Sequence, residues 1–220
     1  MERWLIRNLP TPSKPKDVAD SIDYRDTGNQ GLPNVSTVEP QPSTSKDGNN
    51  FEEEKDMGKC LKQLSHCYCI NRRAENPLQL YVTNFCGKSK EEMARSTGYQ
   101  NWDVYFHEEN HTTVFEKKDL VYLTSDSENI LSKLDDTKVY IIGAFVDHNK
   151  HKGRTLSVAN EQEITHAQLP IREFLEMNTR KVLTIDHVFE ILLHVSEGIT
   201  WKEALLKVIP QRKGAVEKST

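Results

Sequence analysis

Three features of the chain predict an α/β domain with a mainly parallel sheet flanked by helices. Short apolar runs alternate with helical stretches, polar loops follow those runs, and the first fifty residues are too polar to pack. Leu78–Thr83, Trp102–Phe106, Leu120–Thr124, Val139–Gly143, Ile164–Leu169 and Lys181–Thr184 read as strands, being short, β-branched or aromatic and bounded by turn residues. The stretches around 88–96, 127–134, 155–161 and 171–176 read as helices or turns. A helix is predicted over residues 51–74, where Met57, Cys60, Leu61, Leu64 and Tyr68 recur at helical spacing behind a capping-box variant, Asn50 with Glu53. A closing helix spans Ile185–Glu197 and a shorter one Thr200–Val208.

Composition sets the outer limits. The 220 residues are 36% hydrophobic and 28% charged, which suits one globular domain carrying a polar appendage. The net charge of -4 is uneven: residues 1–56 hold 7 Lys+Arg against 11 Asp+Glu, and the other 164 hold 22 of each. A neutral domain does not bind nucleic acid through its overall field, so any RNA contact must come from local patches. Residues 1–50, with Asn29-Gln30-Gly31-Leu32-Pro33 and Glu39-Pro40-Gln41-Pro42-Ser43, bury too little apolar area to offset ordering and read as disordered. The folded domain is expected over 51–216, with 217–220 as a tail. No run is long enough for a membrane span, and Met1–Pro10 is too short and too charged for a signal peptide.

The four cysteines, Cys60, Cys67, Cys69 and Cys86, lie in one stretch with no second cluster, so they read as buried or half-buried thiols rather than a zinc site. No metal is expected, and a reducing setting, nucleus or cytoplasm, follows. There is no GxGxxG and no P-loop, which disfavours a dinucleotide site or an NTPase.

In α/β sheets ligands sit beyond the carboxyl ends of the strands. Two loops there are unusual: Ser125-Asp126-Ser127, and the run from Gly143 to Gly153. In the second, Asp147 is followed by His148, Asn149, Lys150, His151 and Lys152. A carboxylate beside several cations reads either as a general base or as part of a solvated polar loop. His187 reads as a packed histidine of the closing helix. Arg180-Lys181 and the tail Pro210–Val216 offer basic groups for phosphate or for nothing specific.

Six blocks carry a resemblance: CYCINRRAENPLQLYVT, DLVYLTSDSENIL, KVYIIGAFVDHNKHKG, THAQLPI, MNTRKVLTIDHVFEIL and PQRKGAV. In this order, from about Lys55 to Val216, the chain resembles the eukaryotic tRNA (guanine-9-N1) methyltransferase family, a SPOUT branch. The resemblance implies a SPOUT-type sheet with a C-terminal trefoil knot, which ordinary connection rules do not lead one to expect. It implies S-adenosylmethionine as cofactor, a tRNA substrate, and a monomer. Carried onto this sequence, cofactor contacts fall on Leu123, Gly143, Asp147, His148, Asn149, Lys150, His151, Thr155, Leu169, Lys181, Val182 and Leu183. Asp147 takes the role of general base toward N1 of guanine at position 9. Adenine N1 has no proton to lose, so Asp147 alone does not fix the base.

Two departures from the family shape the expectation. Family members open the domain with a short apolar strand ending in an aspartate, and here Pro42–Asn50 holds that place, which proline, glycine and tandem asparagines bar from an internal strand. This predicts an unfilled sheet position and lower stability, as in a shortened or alternatively spliced form. The acidic, Pro/Ser-rich start also replaces the family's basic arm, which predicts weaker tRNA binding. The alternative to an enzyme is a catalytically silent cofactor- or RNA-binding variant, and beyond that a poorly folded product. A smaller difference, Ala144 where the family commonly has a second glycine, is harmless unless that position needs positive φ.

Overall fold

The structure is a computed structural model and describes residues 3–7, 47–144, 153–177, 183–210 and 215–217. The first long helix, α1 (Asp47–Asn71), begins a turn before Asn50, so Asn50 sits inside the helix and the predicted cap is displaced. Cys60, Leu64 and Cys67 are buried on one stripe of α1, with Leu61 and Tyr68 packed beside them. Tyr68 stacks on Trp102, with ring centroids 4.5 Å apart. Asn71 then acts as a backbone substitute. Its Nδ2 donates to the Leu78 carbonyl at 2.8 Å and its Oδ1 accepts from the Leu78 amide at 2.9 Å. That pair closes the turn and launches β2 (Gln79–Thr83).

The chain continues through α2 (Lys88–Ala94), β3 (Val104–Phe106), α3 (His111–Val114), β4 (Leu120–Leu123) and β5 (Val139–Gly143). It goes on to α4 (Arg154–Glu161), β6 (Thr165–Ala167), α5 (Ile171–Phe174) and β7 (Leu175–Met177). Last come α6 (Ile185–Ser196), α7 (Trp201–Val208) and β8 (Ala215–Glu217). Leu120–Leu123 and Val139–Gly143 alternate faces, Val121, Tyr140 and Ile142 entering the larger core and Leu120, Tyr122, Val139 and Ile141 the smaller one. Helices α1, α6 and α7 cover the first face, and Ala159 of α4 packs into the second. Helix α7 starts at a full capping box between Thr200 and Glu203, and Trp201 donates its indole N–H to the Ser132 carbonyl at 2.8 Å.

The expectation of a continuous disordered segment over 1–50, and of an unfilled sheet position, is corrected at one point. Arg3–Arg7 forms a strand, β1, inside a six-stranded sheet of order β3-β2-β1-β5-β4-β6. It pairs antiparallel with β2 and with β5, while the β2–β3, β4–β5 and β4–β6 pairs are parallel. Five strands therefore share one direction and β1 opposes them. Leu5 is fully buried in the smaller core and Ile6 is 2% exposed in the larger. A strand this short and flanked by charges has no signature of its own; two waiting partner edges make it. Residues 8–46 lie outside the described residues.

Two smaller corrections follow. Leu183 and Thr184 are not in a strand, and Lys181 and Val182 lie outside the described residues. Residues 127–134, read as helix or turn, form bends and irregular backbone with one parallel bridge, Ile130 to Gln168. Leu175–Met177 pairs with Ala215–Glu217 as a two-stranded antiparallel sheet, so part of the expected tail is structured. The path that would make the trefoil knot depends on segments including 145–152 and 178–182, which are outside the described residues.

Candidate cofactor site

The strand ends converge on a cavity of about 190 Å³. Leu123, Thr124 and Ser125 come from the end of β4, Ile142 and Gly143 from the end of β5, and Gln168 and Leu169 from just past β6. Thr155 enters from the first turn of α4, Ile171 and Arg172 from α5, and Leu183, Ile185 and Val188 from the entry and first turn of α6. Leu, Ile and Val make most of the wall and hydroxyl, amide and guanidinium groups its edge, the mix that holds a flat, partly polar ligand.

Gly143 is required by close approach. A Cβ there would meet Tyr122 Oη at 3.1 Å and Thr155 Cγ2 at 3.4 Å. Ala144 beside it is buried, and among the described residues the only non-glycine positions with positive φ are Asn84 and Glu163, so the added methyl brings no backbone strain. Thr124 Oγ1 and Thr155 Oγ1 are 2.8 Å apart, tying β4 to α4. Gly153, at φ 73°, precedes α4 in the left-handed region that favours glycine, and its amide donates to Asp126 Oδ2 at 3.2 Å.

The loop after β4 is fixed from behind. Buried Ser127 pairs its hydroxyl with His166 Nδ1 at 2.8 Å and accepts from the Asn129 amide at 3.0 Å, and Gln168 donates its side-chain amide to the Ser127 carbonyl. On the opposite side, Gln63 of α1 accepts from the Ile185 amide at 2.9 Å, holding the first turn of α6 against the cavity. Thr184 Oγ1 and His187 Nδ1 are 2.8 Å apart, and His66 Nδ1 lies 3.1 Å from Asp186 Oδ2. Burial works to raise the Asp186 carboxyl, but the Thr184 hydroxyl, His187 and His66 outweigh it and leave it below the usual carboxylate range. Burial pushes the Cys67 thiol of α1 well up, with Asp186 adding to the effect.

Of the residues expected at the cofactor, Leu123, Gly143, Thr155, Leu169 and Leu183 line this one cavity. Asp147, His148, Asn149, Lys150, His151, Lys181 and Val182 lie outside the described residues. The segment that carries Asp147 joins Ala144, which follows the cavity-lining Gly143, to Gly153, whose amide donates to Asp126. Asp126 and Ser127 lie in the strand-end loop singled out from sequence, whereas Gln63, Thr124 and Gln168 were not assigned to this site. Gln63 had one usable signal, a polar residue beside the apolar stripe of α1. Thr124 and Gln168 depend on contacts across 31 and 41 residues, to Thr155 and to Ser127, that no local pattern carries. His187 is half-buried against Thr184. The cysteines are all free, and among the described residues no group of three or more His, Cys, Asp or Glu is placed to hold a metal ion. No helix among them is long and apolar enough to cross a membrane.

Comparison with known proteins agrees with this geometry. Residues 49–214 match the family described as tRNA (guanine(9)-N(1))-methyltransferase TRM10/TRM10A. The chain is 52% identical over 164 residues to tRNA methyltransferase 10 homolog A of Xenopus tropicalis, covering 74% of this chain and 49% of that protein. It is 49% identical over 164 residues to the human homolog A, covering 74% and 48%. The chain thus spans about half the length of the curated relatives it matches. The crystal structure of full-length spTrm10 in complex with SAH superposes with a TM-score of 0.67 at 37% identity, over 76% of this chain and 90% of that one. With the match running through nearly all of the described sheet and through every wall of the cavity, this chain belongs to the TRM10/TRM10A family and has its SPOUT-type α/β fold.

Proposed function

We propose that this chain transfers a methyl group from S-adenosylmethionine to N1 of guanine at position 9 of tRNA. The observation that carries the reading is the meeting of Leu123, Gly143, Thr155, Leu169 and Leu183, drawn from five separate segments, around one cavity at the strand ends. Its apolar walls suit an adenine ring, and the bare Cα of Gly143 leaves room that a side chain would fill. The names of the relatives supply the substrate, and the SAH bound by spTrm10 is the product form of the proposed cofactor.

The cofactor, when bound, supplies an electrophilic methyl on a sulfonium. The protein's own work is then positioning and proton transfer. Leu123, Ile142, Leu169 and Leu183 hold the ligand and exclude water, while Thr155 and Gly143 set its depth. Guanine N1 carries a proton and is a poor nucleophile until that proton leaves. Asp147 accepts it. His148, Asn149, Lys150 and His151 complete the loop around the ligand, and Lys181 and Val182 complete the wall beside Leu183. The tRNA is bound by a monomer, through local basic groups, in the nucleus or cytoplasm.

The test is methyl transfer from labelled S-adenosylmethionine to unmodified tRNA transcripts with G, A or U at position 9. Incorporation into the G9 transcript, lost with Asp147→Asn, supports the reading. Binding of S-adenosylhomocysteine without transfer to any transcript overturns it in favour of a silent binding protein.

A further inference from the structure

The family match begins at residue 49, yet the sheet is completed by residues 3–7. Strand β1 pairs over all five residues with both neighbours: Arg3 through Arg7 stand opposite Thr83 through Gln79 on one side and Gly143 through Val139 on the other. Without it the sheet divides into β3-β2 and β5-β4-β6, each with an open edge of backbone donors and acceptors. Both cores would also open, because Leu5 closes the smaller one and Ile6 the larger. Residues 8–46 separate β1 from α1, so the strand is not delivered by a tight turn. It runs antiparallel to both neighbours and so opposes the five other strands.

The strand also reaches the cavity. Ile142 and Gly143, which line it, stand in register with Trp4 and Arg3. The backbone of the chain's start therefore holds the β5 end of the cavity wall.

We infer that the gap between β2 and β5 is a strand-acceptor site occupied by this chain's own first residues, and that its occupancy positions Ile142 and Gly143 for the ligand of the cavity. The site takes an extended peptide by backbone pairing on two sides, and selects it through two consecutive apolar side chains directed to opposite faces, as Leu5 and Ile6 are. The ligand part of this inference rests on the proposed cofactor.

The experiment uses the full chain, folded, with a specific protease site inserted within residues 8–46. After cleavage and removal of the released piece, hydrogen exchange is read at the amides of β2 and β5, and S-adenosylhomocysteine affinity is measured by calorimetry. Removal should speed exchange in both strands and weaken the ligand on the order of tenfold or more. A synthetic peptide of residues 1–10 should restore both, saturably and at one peptide per chain, and the same peptide with Ile6→Asp should restore neither. Unchanged exchange and affinity after removal would overturn the inference. So would loss that the peptide cannot restore, because the strand would then be needed for folding but not received at a site. If intact and cut chains alike fail to bind S-adenosylhomocysteine while the peptide still restores protection, the cofactor proposal fails and the acceptor site stands.

Discussion

Thr124 Oγ1 and Thr155 Oγ1 lie 2.8 Å apart, joining the end of β4 to the first turn of α4 at the wall of the cavity. Thr124 is buried, so removing its partner leaves a hydroxyl with less to bond. Thr155→Val keeps the shape and removes the bond. It is expected to cost about 1–2 kcal/mol of stability and to weaken S-adenosylhomocysteine binding. Urea unfolding and calorimetry on the same variant check both parts. An unchanged affinity would separate this bond from the cavity.

Gly143→Ala tests the close approach directly. The new methyl would stand 3.1 Å from Tyr122 Oη and 3.4 Å from Thr155 Cγ2, and the fully buried Tyr122 cannot swing away. Overpacking of this kind costs about 1–3 kcal/mol. Tyr122→Phe removes the oxygen that the methyl meets, so Gly143→Ala should cost less in that background. A double-mutant cycle from thermal or urea unfolding measures the difference; additive costs would mean that the clash is relieved elsewhere.

How far the sequence reveals this molecule depends on which contacts are local. The strands ending at Leu123 and Gly143 are legible because an apolar run followed by polar residues is a local pattern, and the sheet geometry then brings their ends together. An unfilled sheet position was expected because Pro42–Asn50 bars an internal strand, and that expectation missed the strand Arg3–Arg7 that pairs between β2 and β5. Arg3–Arg7 is short, carries charge at both ends and lies about forty residues before α1, and only the facing edges of β2 and β5 turn it into a strand. Gln63 shows the same limit: it accepts a hydrogen bond from the distant Ile185 amide, a partner that its place beside the apolar stripe of α1 does not specify.

Asn71 offers a test of the turn that feeds the central strands. Its side chain pairs with both backbone groups of Leu78, and both residues are buried. Asn71→Ala leaves that amide and carbonyl unpaired and is expected to destabilise the fold by about 2–4 kcal/mol. Asn71→Asp can fill both roles only as the protonated acid; ionised, it sets a buried carboxylate oxygen against the Leu78 carbonyl, so its cost should rise with pH. Chemical denaturation reads both costs, and an Asn71→Ala cost near zero would mean that water replaces the amide.

The lowered Asp186 carboxyl predicts an acid limb of stability with a definite sign. Its folded pKa lies below the unfolded value, because the Thr184 hydroxyl, His187 and His66 together outweigh burial. The ionised group therefore stabilises the folded chain above the unfolded carboxylate pKa, and that contribution is lost as pH falls through the folded one. Asp186→Asn should flatten the decline between about pH 4 and the acid end without altering the fold near neutrality. Melting curves across that range decide it; parallel curves for the two proteins would assign the acid limb to other groups.

Asp147→Asn carries the most direct mechanistic consequence of the proposed function. An amide keeps the size of the carboxylate and cannot take the guanine N1 proton, so single-turnover methyl transfer to G9 tRNA should fall by about 10²–10⁴-fold. Cofactor affinity should hardly move, because what the amide loses is the ability to accept a proton released from the base. A variant that loses S-adenosylhomocysteine affinity in proportion to rate would make Asp147 a binding group. One that keeps both would leave the proton to solvent and place the catalysis in positioning alone.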